Sequence, residues 1–280
     1  MKWKIAVDSG CELRKLNGLA LDTGFTNVPL KIIIGDEDFT DTEDLNTAML
    51  LQKISEYKGA SSTACPSPDA WYNEFVEADF SVAITITGSL SGSYNSAMVA
   101  KDMVLEEYPD KKILIVNSLS TGPEMTLCAY KINELINEGN NFDDLCEKFA
   151  EYNKNSHLLF LLKSFDNLAK TGRVSKAVAK IAGVMHIQIV GKASDEGTLE
   201  ILQKCRGTAK SYDAIIEGIK NSNYKNGKIA ICHAQNENGA KILKQKLMDE
   251  LGAKLVSILP ASGLCCFYAE EGGLLVGYEA

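Results

Sequence analysis

The stretch Val82-Ala83-Ile84-Thr85-Ile86-Thr87, running straight into Gly88-Ser89-Leu90-Ser91-Gly92-Ser93-Tyr94-Asn95-Ser96-Ala97, decides how this chain is read. A β-branched run enters the turn and a helix-like run leaves it. In an α/β sheet the carboxyl end of a strand is the usual ligand position. There the N–H groups of the next helix point outward and its dipole favours negative charge. Gly88 and Gly92 would let a ligand come close to the backbone, and Ser91 adds a hydroxyl donor. The loop lacks the lysine of a P-loop and matches no Gly-x-Gly-x-x-Gly fingerprint.

Outward from this turn, short apolar runs alternate with helical ones. Lys4–Val7, Leu30–Ile34, Ile113–Val116, Leu158–Leu162, His186–Val190, Leu199–Leu202, Ile229–Cys232, Leu255–Leu259 and Leu274–Val276 read as strands. Leu45–Tyr57 and Glu237–Leu251 read as helices that stop at Gly59 and Gly252. Pro123 falls near the start of another, where its missing N–H costs nothing. The alternation predicts an α/β protein with helices covering mostly parallel strands. Asp195-Glu196-Gly197 between two strand-like runs predicts a hairpin, hence at least one antiparallel pair. The polar stretch 151–156 is the best boundary, giving domains 1–155 and 156–280, with segments near 60–85 open to assignment to the second.

The 280 residues suffice for two ordinary domains, and 45% hydrophobic with 24% charged residues suits a packed core. No apolar run approaches the ~20 residues that span a bilayer, and an acid at Asp8 interrupts any signal-peptide core, so a cytoplasmic protein is expected. A net charge of −8 makes nucleic acid a poor partner. The eight cysteines form no Cys-x-x-Cys pair and the three histidines lie far apart in sequence, so no metal site is expected and buried free thiols are.

Three further segments carry chemistry. In Thr63-Ala64-Cys65-Pro66-Ser67-Pro68, Ser67 and Pro68 read as an ordinary capped helix start, which leaves Thr63 free to face an anion. In Thr171-Gly172-Arg173-Val174-Ser175, the arginine either pairs with a carboxylate or phosphate through its planar fork or is a solvated surface charge with Ser175 capping the next helix. The run Ser262-Gly263-Leu264-Cys265-Cys266-Phe267-Tyr268 reads as an apolar, thiol-bearing loop suited to a greasy pocket wall. Cysteine catalysis needs a nearby base, and no histidine follows His233.

Taken in order, these segments resemble the DegV family across essentially the whole chain. Lys4-Ile5-Ala6-Val7-Asp8-Ser9 and Val28-Pro29-Leu30 open the match. Thr63–Pro68 is similar to the family's Thr-Ser-Gln-Pro-Ser-Pro, and Leu90–Ala97 to its Leu-Ser-Gly-Thr-Tyr-Gln-Ser-Ala. Thr171–Ser175 looks like its Gly-Gly-Arg-Ile-Ser, and Lys204-Cys205-Arg206 like its Lys-x-Arg. The resemblance implies two α/β domains enclosing a long-chain fatty acid in a cleft between them, with no cofactor. It places Thr63, Ser91 and Gly92 at the carboxylate and Arg173 as the nearby cation. It also implies a partner, the catalytic subunit of a fatty acid kinase, that phosphorylates the carboxylate while this chain only binds. Near the C-terminus Leu264-Cys265 stands where the family carries Thr-His, which puts Cys265 at the pocket.

An acyl tail supplies the affinity in this reading. Sixteen carbons at ~0.8 kcal/mol per buried CH₂ give more than about 10 kcal/mol before ordering costs. Two alternatives stand beside it: a carrier or sensor of another amphipathic carboxylate with no kinase partner, and a hydrolase with Ser91 as nucleophile, for which no convincing base is in view.

Overall fold

The computed structural model describes residues 1–174 and 187–280. The first layer is a parallel sheet of β1 (Trp3–Asp8), β2 (Thr23–Val28), β6 (Phe80–Thr85) and β7 (Lys112–Asn117), in the order β2-β1-β6-β7. Every residue of β1 is buried, as a central strand covered on both faces must be. Its alternate side chains divide between two cores. Ala6, Val28 and Ala83 pack under Trp71 and Phe75 of α2 (Pro68–Val76) and Ala97 and Ala100 of α3 (Ser93–Glu107). Trp3, Ile5, Val7 and Ile84 pack on Met125 and Ile132 of α4 (Pro123–Asn137) and Leu145 and Phe149 of α5 (Phe142–Asn153). Each large apolar side chain so buried contributes ~1.5–3 kcal/mol.

A second sheet has the order β10-β9-β8-β13-β11-β12, from β8 (Ser156–Leu162), β9 (Ile187–Ala193), β10 (Leu199–Arg206), β11 (Ile229–His233), β12 (Val256–Pro260) and β13 (Leu274–Glu279). One face packs on α7 (Thr208–Lys220) and α8 (Glu237–Leu251) through Leu159, Leu161, Ile231 and Val276. The other turns Leu158, Phe160, Leu162 and Leu275 toward α6 (Asp166–Lys170) and α9 (Gly263–Ala269). A small antiparallel sheet, β4 (Glu37–Thr40), β3 (Lys31–Ile34) and β5 (Ser61–Ala64), packs Ile32 and Ile34 against Leu50 of α1 (Thr47–Glu56) and Phe267 of α9.

Helix α4 joins the two main layers. It is sunk between the first sheet and β13, and a Cβ at Gly277 would collide with the backbone of Glu124. The glycine is what lets strand and helix touch.

The alternation of elements correctly predicts an α/β chain, but the expected dominance of parallel pairing does not hold. Four strand pairs are parallel and six antiparallel among the described residues. The reason is topological: β13 inserts between β8 and β11 and runs against both, while β8–β9–β10 and β4–β3–β5 are joined antiparallel. The hairpin at Asp195–Gly197 is present, with Gly197 at φ 74°. The C-terminal run expected as a loop is helix α9. Ser262 Oγ accepts from Cys265 N at 3.2 Å, and the buried Asp41 carboxylate accepts from Gly263 N at 2.8 Å and Leu264 N at 2.9 Å. Ser175 and His186 lie outside the described residues.

Candidate functional site

The turn after β6 is built around one carboxylate. Asp8, fully buried at the end of β1, accepts from Gly10 N at 3.0 Å, Ile86 N at 2.9 Å and Ser93 Oγ at 2.5 Å. It therefore ties the ends of two strands to the first turn of α3. Burial pushes its pKa up to about 6, against the pull of those donors.

Ser91 follows, half-buried, its hydroxyl accepting from Ser93 N at 3.3 Å. Gly92 immediately precedes α3, and a Cβ there would stand 3.2 Å from Cys65 Sγ. The end of β5 thus abuts the start of α3, and Ser96 Oγ donates to Pro66 O at 2.6 Å to fix the contact. The cap at α2 forms as the sequence predicts, with Ser67 Oγ accepting from Ala70 N at 3.3 Å and Pro68 first in the helix. Thr63 is left to bond elsewhere, and its Oγ1 lies 2.8 Å from the Tyr268 hydroxyl.

The second half of the chain reaches this turn twice. Arg173 sits past Gly172, whose φ of 77° turns the chain, and donates from Nε to Leu90 O at 3.1 Å and from a terminal guanidinium nitrogen to Thr171 O at 2.6 Å. From the β9–β10 hairpin, Glu196 O accepts from Ser89 Oγ at 2.6 Å. A Cβ at Gly197 would collide with Thr87 Oγ1, so the hairpin tip rests directly on the turn.

Beneath these contacts lies a narrow cavity with a mostly apolar wall. Thr63, Ser91, Arg173 and Cys265 all line it, with Tyr268 and Thr121. The rest of the wall is apolar: Leu30, Ile86, Leu90 and Leu264 from one side, Leu158, Phe160, Leu162, Leu199 and Leu275 from the second sheet. Gly92 is one step back from the lining. No histidine or carboxylate is in the wall among the described residues.

Cys265 is buried, its Sγ 3.8 Å from Thr121 Oγ1, and burial holds its thiol well above the usual range. Such a thiol is a wall, not a nucleophile. Behind it the buried Glu12 carboxylate accepts from Cys232 Sγ at 2.9 Å and from Ser262 N, again with a raised pKa from burial. Cys65 departs from the expectation of buried thiols, being exposed, and Cys146 is half-buried. Tyr268, Thr121, Asp8 and Glu12 were not foreseen. Asp8, at the carboxyl end of a mostly apolar strand, carries the one signal that sequence offers.

Fold and site together define a two-layered α/β protein with a mostly apolar cavity whose wall also carries hydroxyls and an arginine. Over residues 2–280 the chain matches the DegV family model. A DegV domain-containing protein of Streptococcus gordonii is 45% identical over 279 residues, spanning 100% of this chain and 99% of its own. The structure of the Streptococcus pneumoniae fatty acid kinase (Fak) B3 protein loaded with linoleic acid superposes with a TM-score of 0.97 at 43% identity, covering 100% and 99% of the two chains. A DegV family protein from Eubacterium eligens loaded with heptadecanoic acid gives 0.95 at 37% identity, over 99% of each. This chain belongs to the DegV family.

Proposed function

We propose that the protein binds one long-chain fatty acid between lobes 1–155 and 156–280, tail in the cavity and carboxylate at the rim formed by Thr63, Ser91 and Arg173. The observation that carries this is a narrow, mostly apolar cavity whose wall also holds Arg173 and the hydroxyls of Thr63, Ser91, Thr121 and Tyr268. An acyl chain matches the apolar wall and an ionised carboxylate the arginine and hydroxyls. The solved neighbours bound to linoleic and heptadecanoic acids support the ligand class. Mass spectrometry of organic extract from freshly purified protein tests it: a stoichiometric fatty acid is expected, and clean extracts from repeated preparations would sink the reading.

We infer further that the bound carboxylate is offered to a separate kinase for acyl phosphate formation, the protein itself supplying no chemistry. Gly88, Ser89 and Gly92, on the turn that carries Ser91, are exposed, which leaves that turn open to a second protein. The B3 neighbour, named for a fatty acid kinase, supports that partner. A second reading, a carrier or sensor without a kinase, is favoured by the inert, buried Cys265 in the wall. Incubating loaded protein with a fatty acid kinase catalytic subunit, ATP and magnesium separates them, since only the first predicts acyl phosphate. The hydrolase reading finds no support in the geometry: the Ser91 hydroxyl accepts from a backbone N–H, and among the described residues the wall offers no base.

Removing one rim donor has a defined cost. Ser91→Ala or Arg173→Ala is expected to weaken fatty-acid binding by ~1–3 kcal/mol, because each gives up a hydrogen bond to a charged group. Displacement of a fluorescent fatty acid measures it, and unchanged affinity in both variants removes these residues from the head-group site.

A further inference from the structure

We propose that Tyr268 is a positioning residue for the carboxylate: it holds the Thr63 hydroxyl so that the Thr63 proton points at the ligand, and thereby makes the site select ionised acids over other lipid head groups. This rests on the fatty-acid reading above and deepens it.

The two hydroxyls lie 2.8 Å apart, and both face the cavity. Each brings one proton and two lone pairs, so when one donates to the other, a single proton of the pair remains for a third partner. A carboxylate is an acceptor only and takes that proton. The phenol is the more acidic of the two groups and donates to Thr63, and a donor that is itself accepting becomes a stronger donor. The chain of bonds is then Tyr268 to Thr63 to carboxylate. An alcohol head group can donate as well as accept, so it gains less from a fixed donor.

The phenol is well placed to hold such an orientation. Its ring sits edge-on to Phe267 at 4.9 Å, and Phe267 is fully buried. Helix α9, which carries both, is pinned at its start by Asp41 and Ser262. At its end Asn167 Nδ2 donates to Phe267 O at 2.8 Å. Thr63 lies on β5, in register with Ile32 at the middle of β3. Neither partner of the pair is on a free loop, and no other hydrogen bond is assigned to the Tyr268 hydroxyl among the described residues.

The test is a double-mutant cycle read with two probes, hexadecanoic acid and hexadecan-1-ol. Tyr268→Phe keeps the ring and removes the hydroxyl. Expected are an about 3–10-fold loss of affinity for the acid, an about 10–30-fold loss for Thr63→Val, and no further loss when Tyr268→Phe is added to Thr63→Val. Affinity for the alcohol should hold within about twofold in Tyr268→Phe. The proposal is overturned if Tyr268→Phe leaves acid binding unchanged, if the two losses multiply, or if the alcohol weakens as much as the acid, which would mark a packing role. Failure of the fatty-acid reading itself looks different: the unmodified protein then binds neither probe.

Discussion

Affinity for saturated fatty acids is expected to climb steeply with chain length, by roughly a thousandfold from ten carbons to sixteen, and then to level off. Each added CH₂ that leaves water for the leucine-lined cavity gains ~0.8 kcal/mol, so six of them gain about 5 kcal/mol. Ordering the tail returns part of that, which leaves about 4 kcal/mol. The rim contributes equally to every acid in the series, because Thr63, Ser91 and Arg173 meet only the carboxylate in this reading. The slope therefore reports the tail alone, and the plateau reports the length at which the cavity is full. Calorimetry or dye displacement across C8 to C20 acids measures both. A flat profile would mean that the tail lies outside the space between the sheets.

The stability that Glu124 contributes should fall by about 3 kcal/mol as the pH rises from 4.5 to 8, and Glu124→Gln should remove that share of the pH dependence. Glu124 begins α4 deep between the two main sheets, its Oε1 accepting from Ser156 Oγ at 2.8 Å. Burial pushes its pKa up to about 7, more than the hydroxyls of Ser120 and Ser156 can offset. A carboxyl whose folded pKa lies above its unfolded value takes up a proton on folding. Its favourable contribution is full below the unfolded pKa near 4.5 and is lost as the pH rises through about 7. The gap between those values corresponds to about 3 kcal/mol. Asp8, pushed up to about 6, acts in the same direction, but its loss is largely complete before pH 7. Urea unfolding at pH 6 and pH 8, where most of the Asp8 loss is already past, compares the unmodified chain with Glu124→Gln and isolates the Glu124 share. Parallel losses in the variant and the unmodified chain would show that Glu124 does not carry the effect.

The parts of the fold legible in the sequence are those where a local pattern and its tertiary setting agree. Strand β1 reads directly because both of its faces are covered, and α8 reads from start to stop because Gly252, at φ 68°, ends it. Strands β2, β4 and β5 are silent. Thr23–Val28 carries a glycine and an asparagine and becomes a strand by pairing with β1, while Glu37–Thr40 and Ser61–Ala64 are four residues each and largely polar. Pairing direction was hidden for a related reason: nothing in Leu274–Glu279 says that it will slot between strands separated from it by more than a hundred residues and by forty.

For the site, Thr63, Ser91, Arg173 and Cys265 were named from sequence, and the structure brings all four to one cavity wall. Hydroxyls beside proline and glycine, and an arginine after glycine, are visible without coordinates. Tyr268 was invisible because its meaning depends on Thr63, 205 positions away. The apolar walls were equally mute, since a leucine facing a cavity reads no differently from one facing a core.

Cys65 is exposed and abuts Gly92, whereas Cys11, Cys128, Cys205, Cys232, Cys265 and Cys266 are buried. The chain thus comes with its own attachment point for a thiol-directed dye beside Gly92, selective once the half-buried Cys146 is replaced. A maleimide fluorophore placed there would sense lipid arriving and leaving in real time, while the interior thiols stayed unlabelled as long as the fold held.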